Sequence, residues 1–344
     1  MRTEYPGPGP AAARAAARFA PAALLPLLPL LLTIGALLAG CGGAGGTGDA
    51  AKAAARNAAA GDSLAVRARD HAIQALTTFD TGKVKHLPGG RTLREYWVEA
   101  RHAEIEVAPG VRFPACTYNG AVPGPSLRCT EGDSVIVHFA NRGTMPHSMH
   151  FHGIHAAKMD GVFEQVSPGA TFDYAFTAEP FGLHLYHCHT MPVKMHIARG
   201  LYGVFLVDPK KPRPPAREMV MVMNGFDTDL NGEDNEFYTV NGYANVFFRD
   251  YRIPVKLGEL QRVYLINITE FDLLNSMHTH ATFFDVYPTG TSLTPSVFTD
   301  VVTMGQGERA ILEFTYKHPG RFLFHAHQSE FAELGWLGQF EVKP

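Results

Sequence analysis

Basic runs are missing from this chain. None of its 30 lysines and arginines gathers into a block, and the formal net charge over 344 residues is −3. Nothing in the charge pattern therefore suggests a nucleic-acid partner. Cysteine is scarce too: only Cys41, Cys116, Cys129 and Cys188 are present. Cys41 ends an apolar leader and Cys188 sits between two histidines, which leaves one pair, Cys116 and Cys129, for a disulfide in an oxidising compartment. Two separate thiols are the alternative. Charged residues make up just 18%, against 46% hydrophobic, as in a globular protein with a real core. What is plentiful is aromatic residues at 11%, 34 glycines, 24 prolines and 17 histidines. The first three lean towards β structure with many turns. The chain is long enough for two domains.

Residues 1–41 read as an export segment. Arg2, Arg14 and Arg18 give a basic start, and Phe19 to Gly40 carries no charge. The segment ends Leu38-Ala39-Gly40-Cys41, similar to the bacterial lipoprotein cleavage box, in which the cysteine is lipidated and becomes the new N-terminus. An uncleaved membrane anchor is the alternative, because the run is long enough to span a bilayer. Either way the body is expected to be exported, periplasmic or at the cell surface, and tethered through its N-terminus.

Residues 42–95 are expected to form a flexible spacer and an N-terminal extension, with a short helix somewhere in 64–90. Beyond them short apolar runs alternate with turns, for example SVIVHFAN at 134–141 and QRVYLINIT at 261–269. The proline-rich stretch Asp208 to Pro215 divides this part into residues 96–209 and 210–344. Each half suits a Greek-key β-sandwich.

The halves repeat. FTAEPFGLHLYHCH, Phe176 to His189, has the same length and opening as FTYKHPGRFLFHAH, Phe314 to His327, with Ala326 in place of Cys188. Upstream, Ser148-Met149-His150-Phe151-His152 answers Ser276-Met277-His278-Thr279-His280. Strand side chains alternate between faces. His187 and His189 therefore point one way and Cys188 the other, while His150 and His152 share a face opposite His147. His147 and Cys188, completed by His196 on the following loop, make the two-histidine, one-thiolate set expected of a blue, electron-transferring copper. His150, His152, His187 and His189 offer four imidazoles, and His278, His280, His325 and His327 four more. The second copy lacks the cysteine and has Asn275 where His147 would be, so it cannot build a second blue site. Eight imidazoles without thiolate suit a cluster of several coppers that binds oxygen.

The motifs PHSMHFHG (146–153), YHCHTMPVKMHIARGLYG (186–203), SMHTHA (276–281) and FHAHQSEF (324–331), with TYNGAVPGPSLRCTEGD (117–133), resemble the multicopper oxidases, most narrowly their two-domain, laccase-like type. The resemblance covers residues 96–344. It implies an all-β chain of two tandem cupredoxin-like domains and an oxidase that couples one-electron oxidation of a reductant to reduction of oxygen to water. Phenols, aromatic amines and low-valent metal ions are the candidate reductants.

Carried over residue by residue, the resemblance places His147, Cys188 and His196 on a type 1 copper, His150 and His278 on a type 2 copper, and His152, His187, His189, His280, His325 and His327 on a type 3 pair. That is four coppers per protomer. The axial position holds Leu201, which departs from the methionine pattern and implies a three-coordinate, higher-potential copper. The domain order implies a homotrimer in which domain 1 of one chain meets domain 2 of the next; a cluster within one chain is the alternative. Asp160, in KMDGV, resembles the aspartate such oxidases place beside the cluster and is the candidate proton relay, with a turn role as its alternative. Glu330 is a second, weaker candidate.

His71, His86, His102, His138, His184 and His318 read as ordinary histidines, and His155 as either a support of the cluster or a plain strand position. Met145, Met149, Met191 and Met195 surround the thiolate set and are read as packing rather than a docking surface for cuprous ion. Two other functions compete. In copper nitrite reductases an aspartate stands at the position of His150 and methionine at that of Leu201, and no histidine follows the cysteine. A simple electron-carrying cupredoxin would leave the eight imidazoles idle.

Overall fold

The computed structural model describes residues 63–344. The leader 1–41 and most of the glycine- and alanine-rich spacer lie outside the described residues, and with them Cys41. Among the described residues no helix is long and apolar enough to cross a membrane.

Four β-sheets carry the fold. In the first half, one sheet runs Lys83–His86, Thr92–Ala108, Ser134–Asn141, Thr171–Thr177, with Val111–Tyr118 also paired to the long strand. The facing sheet runs Leu127–Thr130, Tyr202–Asp208, Gly182–His187, His150–Phe151. In the second half, Phe237–Val240, Arg217–Phe226, Gln261–Asn267, Arg309–Phe314, Phe284–Pro288 and Val297–Thr299 form one sheet, and Ile253–Lys256, Leu337–Lys343, Gly320–His325, Leu274–Thr279 and Val301–Gly305 the other. This is the cupredoxin-like sandwich, built twice.

Local sequence explains the strands. Ser134–Asn141 alternates strictly, with Val135, Val137 and Phe139 inward and their neighbours half-exposed. Each such buried side chain contributes about 1.5–3 kcal/mol. Gly182–His187 is buried along its whole length, because the second half covers what would otherwise be its outer face. Leu183 and Leu185 join Val220, Val222, Tyr264 and Ile266 in an apolar cluster shared by both halves. A chain of ions reinforces this seam: Arg128 reaches Asp208 and Glu218, both at 2.7 Å, and Arg262 reaches Glu313 at 2.6 Å. Charges this enclosed are held in register by one another and fix how the halves meet more than they add stability.

From residue 63 onward the N-terminal extension packs on the body. A helix over 63–74 leads to Ala72 and Leu76 in the core of the second half. His71 Nε2 lies 2.9 Å from the carbonyl of Pro123 in the first half. Lys83–His86 then lines the edge of the first sheet, and the long strand starts at Thr92, so the sheet begins ahead of residue 96. Cys116 and Cys129 are both buried and free. Cys116 instead faces His102, its direct partner across the strand pair.

Candidate metal centre

The strand Gly182–His187 carries the first histidine of the triplet, and Cys188 follows immediately. His187 lies opposite His150 in the ladder, while Cys188 turns into the apolar core with Met149 and Leu201. His196 arrives on the short helix Val193–Ala198. Three donors then converge. Cys188 Sγ is 3.3 Å from His196 Nδ1 and 3.9 Å from His147 Nδ1, and the two ring nitrogens are 3.2 Å apart. Donors about 2.0–2.3 Å from one shared ion in a plane would sit about 3.5–3.8 Å apart, so the spacing suits a trigonal metal. All three side chains are buried. Burial, helped by the neighbouring His196 and His102, lowers the His147 pKa to about 4, and burial lowers that of His196. Both rings are therefore neutral near pH 7 and can give a lone pair. The Ser148 N–H donates to the sulfur at 3.4 Å. Leu201, fully buried, presents only methyl groups, and its carbonyl accepts the Cys188 N–H at 3.0 Å. Gly200 before it has φ +108°, where a Cβ would strike Val122.

On the opposite face are imidazoles alone, in two sets built alike. His150 Nδ1 is 2.8 Å from the carbonyl of Asp160, and His278 Nδ1 is 2.8 Å from that of Asp300. His187 Nδ1 is 3.0 Å from the carbonyl of Cys188, and His325 Nδ1 is 2.7 Å from that of Ala326. A carbonyl can only accept, so each of these Nδ1 atoms carries the proton and each Nε2 presents its lone pair. His187 Nε2 lies 3.3 Å from His152 Nε2, and His325 Nε2 lies 3.0 Å from His280 Nε2. The repeated serines have matching work: Ser148 Oγ accepts the His189 N–H at 3.2 Å and Ser276 Oγ the His327 N–H at 2.8 Å. The rings of His189 and His327 stack edgewise on those of His150 and His278. Desolvation brings His152 to about 3 and His187 to about 4, so both stay neutral donors.

Among the described residues the two imidazole sets form separate groups. His280 and His327 are exposed, as are the large apolar side chains Ile154, Phe163, Leu273 and Phe283. Asp160 stands behind His150, with Oδ1 3.1 Å from Nδ1, and 3.7 Å from His155 Nε2. Gly161, at φ +71°, lets this turn press against the Met149 carbonyl where a side chain would collide. Glu330 lies in the first turn of Ser329–Glu333 and is exposed; among the described residues its carboxylate forms no ion pair with the histidines.

A family model described as multicopper oxidase matches residues 99–212, and a second of the same description matches 214–344. The chain belongs to the multicopper oxidase family. This multicopper oxidase is 53% identical to a protein whose solved structure is titled as a multicopper oxidase, with a TM-score of 0.78 over 79% of this chain and 96% of that one. A copper nitrite reductase structure from Nitrosomonas europaea matches with TM-score 0.68 and 29% identity, over 73% of this chain and 94% of that one. The copper-containing nitrite reductase of Neisseria meningitidis serogroup A is 31% identical over 266 residues, 72% of this chain and 68% of its own length.

Two features of this multicopper oxidase escape a sequence reading. Asp300 stands behind His278 as Asp160 does behind His150, with Oδ2 3.9 Å from Nδ1. No motif marks it, because it comes from a different strand connection. The second is His102, set aside above as an ordinary histidine, which forms a further group of possible metal donors with Cys116 and His147. The turn at Pro109-Gly110 held the only clue, since it sets the register that pairs His102 with Cys116.

Proposed function

We propose that this multicopper oxidase takes single electrons from a reductant at a type 1 copper held by His147, Cys188 and His196, and reduces oxygen to water at a three-copper cluster. His150 and His278 would hold the type 2 copper, and His152, His187, His189, His280, His325 and His327 the type 3 pair. When bound, copper supplies the one-electron couple and the oxygen-binding centre; the chain supplies the rest. Carbonyls of Asp160, Cys188, Asp300 and Ala326 orient the imidazoles. Cys188 joins the two centres covalently, because its sulfur faces one and its neighbours His187 and His189 face the other. Asp160, within 3.1 Å of His150, holds and passes protons towards the cluster side. Leu201 offers no donor atom, so copper bound there would be held by His147, Cys188 and His196 alone, which would favour the reduced ion.

The observation that carries this reading is the duplication of the imidazole set down to its carbonyl and serine supports. A single mononuclear catalytic copper would not need His189, His280 and His327. Among the described residues the two sets form separate groups in one chain, and His280 and His327 of the second set are exposed. We therefore infer a homotrimer in which the first set of one protomer meets the second set of the next. The leader supports export and tethering at Cys41.

Copper per chain in fully loaded protein, with absorption and paramagnetic resonance on the same sample, tests the reading. Four coppers, divided into a blue type 1, a type 2 and a spin-silent coupled pair, are expected. Two coppers, one blue and one type 2, would instead make the chain a nitrite reductase like its Neisseria and Nitrosomonas relatives. One blue copper alone would leave an electron carrier.

A further inference from the structure

His150, His187, His278 and His325 each have a carbonyl behind Nδ1; His152 has a cation there. Arg309 opens the strand Arg309–Phe314 of the second half, which lies against Gly182–His187 of the first. Its Nε donates to the Leu183 carbonyl at 3.0 Å, and its Nη1 to that of Gly307 at 3.4 Å. The same Nη1 lies 3.4 Å from His152 Nδ1. A guanidinium has only donors, so here Nδ1 accepts. The neutral ring then carries its proton on Nε2, 3.3 Å from His187 Nε2, whose lone pair receives it. Arg309 is half-buried, and among the described residues no carboxylate forms an ion pair with it. The second half has no equivalent. With Phe176 answering Phe314, Thr171 stands where Arg309 does, and it is exposed. Among the described residues His280 Nδ1 has no hydrogen-bond partner, and only its Nε2 is engaged, with His325.

We propose that Arg309 is a positioning residue for the cluster: through it the second half holds the His152 ring of the first and sets a positive charge behind that ring, raising the potential of the ion the ring would bind. The Leu183 and Gly307 carbonyls fix the guanidinium, and its planar fork in turn fixes the rotation of the imidazole. The main-chain N–H of His152 is held by the Leu185 carbonyl at 2.9 Å. Ring and backbone are thus both tied to the strand that carries His187. Arg309 pairs across the sheet with Ile266, which belongs with Leu183 and Leu185 to the apolar seam. A charge in such surroundings is screened less than in water. An ion that gains an electron loses one unit of positive charge and is repelled less by the guanidinium, so its reduced form is favoured. Only the first set feels this. The two type 3 positions are therefore unequal, with the more readily reduced one on the side where the electron arrives through Cys188 and His187.

The potential half of this inference rests on the four-copper reading proposed above; the contact does not, and metal-free protein tests it. Nitrogen-15 NMR of ring-labelled histidine, with the His152 signal assigned by its loss in His152→Asn, is expected to find the His152 proton on Nε2. That preference should relax in Arg309→Met. A proton on Nδ1 in the unaltered protein overturns the proposal without any variant having to fold. Copper-loaded protein is then titrated electrochemically while the copper X-ray absorption edge counts cuprous ions. Blue absorption and the type 2 paramagnetic signal account for two of the four, and the remainder report the pair. Arg309→Met is expected to lower the equilibrium constant for the pair's first electron by at least about tenfold, about 59 mV, and to leave that of the blue copper within about twofold. Arg309→Lys keeps the charge and should stay within about threefold of the unaltered protein, even where loss of the fork weakens the fold. No shift in Arg309→Met, or equal shifts in both variants, overturns the proposal. Fewer than four coppers in the unaltered protein signals failure of the cluster reading instead; the potential half falls with it, and the NMR result decides the contact.

Discussion

The two halves of this chain share one fold and treat one position in opposite ways. In the first half the Cys188 N–H is bonded to the carbonyl of Leu201, and the Leu201 N–H to that of His196; in the second, Ala326 is bonded to Trp336 and Trp336 to Phe331 by the same pattern. The glycines before them, Gly200 and Gly335, share a positive φ. Superposing those bonds makes Ala326 the counterpart of Cys188, Phe331 of His196 and Trp336 of Leu201, with Asn275 in place of His147. Three donors have become a methyl, a phenyl and an amide. The space is filled by Trp336, which is fully buried against Phe324. Asn275 points its amide N–H at Thr269 Oγ1, 3.1 Å away. A metal pocket and an aromatic core are thus alternative fillings of one cupredoxin site. The opposite face keeps its carbonyl-tied imidazoles in both halves.

The largest expected effect comes from making the first half resemble the second. Cys188→Ala should abolish the blue absorption of copper-loaded protein and reduce oxidation of any reductant to background, while copper on the imidazole face is retained. A variant that stays blue would move the thiolate site elsewhere. Next, Trp336→Ala should cost about 3–5 kcal/mol in denaturant melts, since it empties a close-packed core. Leu201→Met at the matching position should cost less than about 1.5 kcal/mol, yet lower the potential of the blue copper in a spectroelectrochemical titration. Similar stability losses at both sites would mean that the first half is also a packing core.

Acid should separate the states more gently. Burial holds His147 and His187 at about 4 and His152 at about 3, below the ordinary 6.5. Between these values the unfolded chain binds protons that the folded chain refuses. Stability of metal-free protein is therefore expected to be fully present above pH about 6.5 and to fall as pH drops towards about 3–4. Urea midpoints across that window measure it, and His147→Asn, a copy of Asn275, should flatten part of the slope. A flat profile would mean that the rings are already hydrated in the folded state. The smallest contrast lies between the two acids. Asp160→Asn should lower oxygen reduction by about 10–100-fold and Asp300→Asn by less than about threefold, because Asp160 sits 3.1 Å from its histidine and Asp300 3.9 Å. Equal losses would give the relay to both.

Much of this was legible in order and spacing. The repeat announced two like domains, and the period of two in a strand sorted His147 and Cys188 from the imidazoles around them. Those inferences need only neighbours in sequence. The counterparts of His196 and Leu201 were not legible, because the loop after Ala326 is three residues shorter than the loop after Cys188, and only the shared backbone bonds align Phe331 and Trp336 with them. Of the two readings open for Cys116 and Cys129, the structure has separate thiols, because the register of the hairpin turns Cys116 towards His102. The extension before Thr92 carries no motif, and its burial against the second half depends on where the helix over 63–74 lands.

The sequence by itself determined which residue types could bind a soft or borderline metal and on which face of a strand each would stand, since alternation is a property of the extended backbone. Tertiary structure alone decided which of those donors meet. Convergence of His147, Cys188 and His196, the carbonyl behind each imidazole, and the pairing of His102 with Cys116 all depend on strand register and sheet packing. These are set by buried side chains far from the donors themselves.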